Sequence, residues 1–283
     1  MTTVTLLAHL YIGLETSYAS TLIGVASACT VQLLLDAMLG LSGVQPGYRQ
    51  TGLIDFLLPP YIVGLTCSIF LFANGRPWPI IFATTVAISS KFLLRVRHGS
   101  RTMHFFNPSN LGIIVTLVAF PSVGMIMPFS FSAGFGDVGD FAFPLVLLTL
   151  GTIMNGVFTK RLILIFSWLL AFVGQAYVRH LFFDAQLLPI LAVATGPIAI
   201  MFTFFMISDP GTTPNGLGGQ IAFGSSIGLL YGAFMVWHVV YGIFWALMLT
   251  CALRGVWLFL TRPANDQQPA SIDIRATGEL ASP

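Results

Sequence analysis

The residues with most scope for chemistry in this chain are polar groups that break long apolar runs. At 204–224 the sequence reads FFMISDPGTTPNGLGGQIAFG: an apolar run reaches Ser208 and Asp209, breaks at Pro210, passes Thr212, Thr213 and Asn215, and turns apolar again. At 101–115 it reads RTMHFFNPSNLGIIV, where Arg101, His104, Asn107, Pro108, Ser109 and Asn110 introduce another apolar segment. Both contain an Asx-Pro pair followed by Ser or Thr and then Asn. These residue types start helices, because Pro suits the first turn and short polar side chains accept from exposed backbone N–H groups. A carboxylate at a break in a membrane helix is costly and is therefore a functional candidate, so Asp209 is either a binding-site residue or the cap of the helix that follows. Lys91 and Arg101 either hold an anionic group or anchor a membrane face. His104, titrating near neutral pH, has the chemistry to donate a hydrogen bond or relay a proton.

The elements that position these groups follow from composition. Of 283 residues, 56% are hydrophobic and only 8% charged, against about a quarter charged in a soluble domain. The chain reads as an all-α integral membrane protein, and its net charge of +2 gives no case for nucleic-acid binding. Stretches long enough to cross a bilayer, about 20 apolar residues, fall at 16–41, 53–73, 77–95, 108–128, 140–158, 161–182, 187–207, 219–237 and 239–260. That gives about nine to ten transmembrane helices, the tenth being a short element at 3–14. Pro59 and Pro60 predict a kinked or split second span. The polytopic domain covers 1–262, and the polar, Pro- and Ser-rich stretch 263–283 reads as a disordered tail. Cys29, Cys67 and Cys251 sit in apolar runs without ligand spacing and read as small hydrophobes. No basic residue precedes the first apolar ones, so a cleaved leader is not expected.

Basic residues set orientation. Lys91, Arg95, Arg97 and Arg101, then Lys160 and Arg161, then Arg254 and Arg262, fall on one side in the span count, which is expected to be the cytoplasmic face of the cell (inner) membrane and to carry the C-terminus. Asp36 and Asp55 fall near span ends and read as interfacial, Asp137 and Asp140 lie in a Gly-rich outer loop, and His238 reads as interfacial.

Asn107 and Asp209 lie 102 residues apart, which suggests two related halves, 1–158 and 159–262, each with an interrupted helix. Paired interrupted helices point to a binding site near the middle of a membrane protein. Parity in the span count puts both motifs on one side, which counts against a simple inverted repeat, and on pattern alone both remain explicable as capped loops.

KFLLR, FNPSNLGI, LGTIMNGVFTKRLILIFSW at 150–168 and FFMISDPGTTP, in that order, resemble the NqrB/RnfD family: the membrane subunits of the Na+-translocating NADH:quinone reductase and of the Rnf ferredoxin:NAD+ oxidoreductase. The similarity spans roughly 80–262 and is greatest to the stand-alone, UnbU-like branch that accompanies enediyne biosynthesis clusters. It implies a two-half bundle of about ten helices that holds flavin (FMN or riboflavin) and passes electrons to or from partner redox subunits or a quinone within the lipid bilayer. In the energy-conserving members a Thr in a [ST]-G-A-T sequence between the two motifs carries covalent FMN. Here that region reads MPFSFSAGFGDVGDF, with Ser130 and Ser132 but no Thr, so any flavin is expected to be non-covalent. With the resemblance in hand, Asn107, Ser109, Asn110, Asp209, Thr212, Thr213 and Asn215, on loops begun by Pro108 and Pro210, offer polar edges to such a cofactor, Lys91, Arg101 and His104 offer donors, and Phe105, Phe106, Phe204 and Phe205 offer a slot or simple packing. The other open function class is a redox-inactive small-solute transporter or channel on the same scaffold.

Overall fold

The computed structural model describes residues 2–7, 9–10, 16–41, 47–98, 101–126 and 136–261; the expected tail at 263–283, Ser130 and Ser132 lie outside these. Of the described residues 79% are helical, and no strand among them exceeds four residues, so the all-α class holds. Its contacts divide it into two compact units, Met1–His9 with Glu15–Ile126 and Leu253–Pro283, and Leu10–Leu14 with Met127–Ala252.

In the first unit a short helix α1 (Thr2–Leu7) precedes α2 (Tyr18–Leu41), α3 (Gly47–Thr51), α4 (Leu53–Phe70) and α5 (Trp78–Leu93). Every fourth residue of α2 is buried: Ser20, Gly24, Ala28, Gln32 and Asp36. This small, polar stripe lets backbones meet closely, which is what holds helices together where lipid removes the hydrophobic drive. A Cβ on Gly64 would sit 2.6 Å from the Gly24 carbonyl oxygen. Ser68 donates to the Ser20 carbonyl across 3.1 Å, and Ser27 and Thr84 join α2 to α5 at 2.7 Å. Asp36, near the end of α2, is 1% exposed and accepts from the Gly47 N–H at 2.9 Å. Asp55, in the first turn of α4, is exposed. Pro59 and Pro60 do not split their span, since α4 is assigned as one helix through both.

Strand β1 (Leu71–Phe72) pairs with a late strand, while β2 (Arg95–His98) and β3 (Arg101–His104) form an antiparallel hairpin that leads into α6 (Pro108–Ala119). Strand β4 (Gly124–Met125) is the partner of β1. Helix α6 ends at Ala119 because Phe120 precedes Pro121 and is pushed to an extended conformation, φ −122° and ψ 90°.

The second unit holds α7 (Gly136–Ile153), which continues as a π-helix over Met154–Phe158, then α8 (Leu162–Phe183), α9 (Leu187–Ala192) and α10 (Pro197–Met201) with a second π-helix over Phe202–Ile207. Helix α11 (Leu217–Val236) follows, and α12 (Gly242–Leu260) crosses from this unit into the first. Asp137 and Asp140 belong to the start of α7 and not to a loop. His238, in a left-handed turn at φ +54° between α11 and α12, is exposed. Gly224, Gly228 and Gly232 recur at a spacing of four along α11 and face α8. A Cβ on Gly224 would come 2.4 Å from the Leu164 carbonyl oxygen, and one on Gly228 2.5 Å from Ala171 Cβ. Beside this seam Phe172 and Tyr231 stack at 5.8 Å, and the Trp168 indole donates to Thr203 Oγ1 at 3.1 Å. Cys67 and Cys251 are buried and Cys29 half-buried, all as free thiols.

Five helices are long and apolar enough to cross a membrane: α2, α4, α8, α11 and α12. A sixth results if Leu187–Thr195 and Pro197–Ile207, bent by 61°, count as one span. The other three expected positions hold apolar helices that are shorter: Trp78–Leu93, Pro108–Ala119 and Ala142–Phe158. At 1.5 Å per residue a twelve-residue helix such as α6 covers about 18 Å of a hydrocarbon core roughly 30 Å thick. By length and composition, five or six of the nine to ten expected spans are met among the described residues. The expected span 108–128 runs through Pro121, where the backbone leaves the helix at Phe120.

Candidate functional site

In the first unit Asn107 is the N-cap of α6. Its Oδ1 accepts from the Asn110 backbone N–H at 2.9 Å and Pro108 occupies the first turn. Asn107, Pro108, Ser109 and Asn110 are all buried, because α6 lies so close to α5 that a Cβ on Gly112 would sit 2.3 Å from the Ala83 carbonyl oxygen. The motif thus begins a helix after a hairpin and does not interrupt one. His104 stands opposite Arg95 in that hairpin, and Lys91 ends α5. Arg95 donates through Nε to the Lys91 carbonyl and lies over the Phe92 ring, its Nη2 buried without a partner. Burial pushes this guanidinium's pKa down from its usual value. Arg101 opens β3. Phe105 packs on Gly255 of α12, whose added Cβ would meet the ring at 2.4 Å, so it is a packing residue.

In the second unit Asp209 does not cap α11: the N-cap is Gly216, with no side-chain cap bond. Asp209 closes its own loop instead. Oδ1 accepts from the Gly211 N–H at 3.1 Å, Oδ2 from Thr212 Oγ1 at 3.1 Å, and its carbonyl oxygen from Thr213 Oγ1 at 2.7 Å. Asp209, Thr212 and Thr213 are therefore brought together as one folded turn. Pro210, Pro214 and Gly216 keep this stretch out of helical geometry until Leu217.

Two residues outside the expected set clamp this turn. Arg161, only 4% exposed, donates Nη1 to the Pro214 carbonyl at 2.7 Å and Nη2 to Asn215 Oδ1 at 2.5 Å. Gln220, on the first turn of α11, donates to the carbonyls of Lys160 and Asn215, each at 3.3 Å. Burial draws the Arg161 pKa down and the nearby Asp209 carboxylate opposes that shift. Arg161 Nε and Gln220 Oε1 are left buried with no partner, one a donor and the other an acceptor. Such orphans cost about 1–3 kcal/mol each, more for a charged group, unless something pairs with them.

Behind the clamp the two π-helices meet. Asn155, 0% exposed, donates to the Gly151 carbonyl at 2.9 Å and to the Phe204 carbonyl at 3.0 Å, and its Oδ1 accepts from Thr159 at 2.9 Å. Its backbone carbonyl accepts from the Arg161 N–H at 2.9 Å, so one residue, through side chain and backbone, links both π segments to the clamp. A π-helix leaves backbone groups out of register and often marks a functional site. Phe204 rests on Gly151 and is packing. Arg161 was legible only as a topology marker. Asn155 did carry a signal, as a carboxamide inside the apolar run LGTIMNGVF.

No protein-family model matches the chain, and no curated protein matches it.

Proposed function

We propose that this chain is the membrane subunit of a flavin-dependent electron-transport system that holds FMN or riboflavin non-covalently and passes electrons to or from a partner redox protein or a quinone. The observation that carries the reading is the orphaned pair beside the DPGTTP loop, Arg161 Nε–H and Gln220 Oε1. The pyrimidine edge of a flavin offers carbonyl acceptors beside an N–H donor, the complement of that pair, and the motifs that resemble the NqrB/RnfD family supply the cofactor class. Arg161 and Gln220 would hold the polar edge, Asp209, Thr212 and Thr213 would keep the loop closed beside it, and Asn155 would fix the π segments behind. A bound flavin would supply one- and two-electron chemistry. The positive charge of Arg161 would favour a reduced, anionic ring or a phosphate.

We further infer that the three shorter apolar helices insert together with the longer ones, giving nine membrane elements with Thr2–Leu7 as a tenth, that the C-terminus is cytoplasmic, and that the membrane is the inner cell membrane, from the Lys and Arg clusters. Asn107, Ser109, Asn110, His104, Lys91 and Arg101 lie in the other unit, where Asn107 serves as a cap. The second reading, a small-solute transporter, has one observation in its favour: the 61° break between Leu187–Thr195 and Pro197–Ile207, the kind of broken span that lines solute sites.

The test is direct. Full-length protein purified in detergent should carry a flavin absorbance band that dithionite bleaches, and should release flavin on denaturation without protease treatment. Colourless protein that releases none favours the transporter.

A further inference from the structure

A groove of about 700 Å³ opens between α8 and α11 at the end of these helices remote from the DPGTTP loop. Its walls include Gly174, Gln175, Val178 and Arg179 of α8 and Gly232 of α11, with Trp237 at the rim. Small residues make the depression: Gly232 admits Gln175 against its backbone, and a Cβ added to Gly174 would meet nothing within 4 Å. The lining is almost wholly apolar except for Gln175, which is buried with Oε1 unpartnered, and Arg179 one turn further on. Among the described residues Arg179 has no carboxylate within ion-pair distance. Arg179 lies four residues before the end of α8 at Phe183, and Trp237 directly follows α11. Arginine and tryptophan at helix ends stand at the depth of lipid headgroups.

We propose that this groove is a binding site for one anionic phospholipid, with a fatty chain along the Gly174–Val178 wall and the phosphate on Arg179. Charge selects the occupant: a guanidinium without a counter-ion among the described residues, at headgroup depth, beside an apolar channel, matches an amphiphile that is anionic at one end. A guanidinium binds phosphate through two parallel N–H donors, a stronger contact than one with a neutral acceptor. The volume lies in the range of ordinary small-ligand sites, about 300–1,000 Å³. Gly174 separates a built site from general attraction of lipid to an arginine, because filling its empty space blocks the channel and leaves the charge in place.

The test is native mass spectrometry of the delipidated full-length protein titrated with phosphatidylglycerol or with phosphatidylcholine of the same chains. Wild type should retain one phosphatidylglycerol about tenfold better than phosphatidylcholine, the ratio expected for roughly 1.4 kcal/mol. Arg179→Gln and Gly174→Phe should each bring retention down to the phosphatidylcholine level, whereas Arg76→Gln, in the other unit, should leave it unchanged. Gly174→Phe should melt like wild type. Equal retention of the two lipids, undiminished retention in Gly174→Phe, or displacement of the lipid by inorganic phosphate would each overturn the proposal.

Discussion

Replacing Arg161 by Lys isolates what the clamp does for the DPGTTP loop. The guanidinium makes two bonds at once, to the Pro214 carbonyl and to Asn215 Oδ1, from a side chain that is almost fully buried. A lysine is a point donor with no planar fork and can keep one of the two. A hydrogen bond to a charged group contributes about 1.5–3 kcal/mol, so losing one should loosen the loop by that amount, or roughly ten- to a hundredfold in its opening equilibrium. Hydrogen exchange reads this at the Thr212 and Thr213 amides, both bonded to the Asp209 carbonyl at 3.2 Å. Their exchange should rise by that factor in Arg161→Lys, while amides in the middle of α2 stay as in wild type. Exchange at Thr212 and Thr213 within twofold of wild type would refute the claim that Arg161 holds the loop.

Other substitutions probe the elements behind the site. Asn155→Leu removes the carboxamide donor from the Gly151 and Phe204 carbonyls, the latter keeping Ser208 Oγ, and should lower stability by about 1–3 kcal/mol in a detergent melt, with a wild-type melting temperature counting against the π-helix link. Gly228→Leu drives a side chain into Ala171 and should cost about 1–3 kcal/mol or more through overpacking, a difference visible beside Gly218→Leu, whose added Cβ meets nothing. Asn107→Ala should cost about 1 kcal/mol by losing the α6 cap, and Asn107→Ser should restore most of it. Asp209→Asn removes the charge, keeps one oxygen to accept from the Gly211 N–H and turns an amide N–H toward Thr212 Oγ1, which can accept it, so it should preserve the fold; a drop in flavin content with unchanged melting would tie the carboxylate to the cofactor.

Asn107, Pro108 and Asn110 were legible from sequence because a cap is a local device, complete within four residues. Asp209-Pro210 uses the same residue types, yet Pro214 and Gly216 delay the helix to Leu217, so the carboxylate caps its own turn; that distinction depends on residues downstream of the motif. The bond from the Gly47 N–H to Asp36 was not legible, because the partner lies on another element. The clamping roles of Arg161 and Gln220 escape a sequence reading, since each is defined by a carbonyl or carboxamide far along the chain. At α5, α6 and α7 average hydropathy is high, but a hairpin, a proline or a π segment ends the regular helix short of a full span. The spacing of Gly224, Gly228 and Gly232 was in plain view and specifies the α8 contact.

The central claim is that the Arg161–Gln220 pair completes a flavin site, and flavin stoichiometry in wild type and Gln220→Leu tests it most directly. Wild type is expected to release close to one flavin per chain, and Gln220→Leu, which removes the unpaired acceptor together with the Nε2 bonds to Lys160 and Asn215, to release little while a detergent melt still shows a cooperative fold. Equal flavin in both proteins, or none in wild type, would contradict the account.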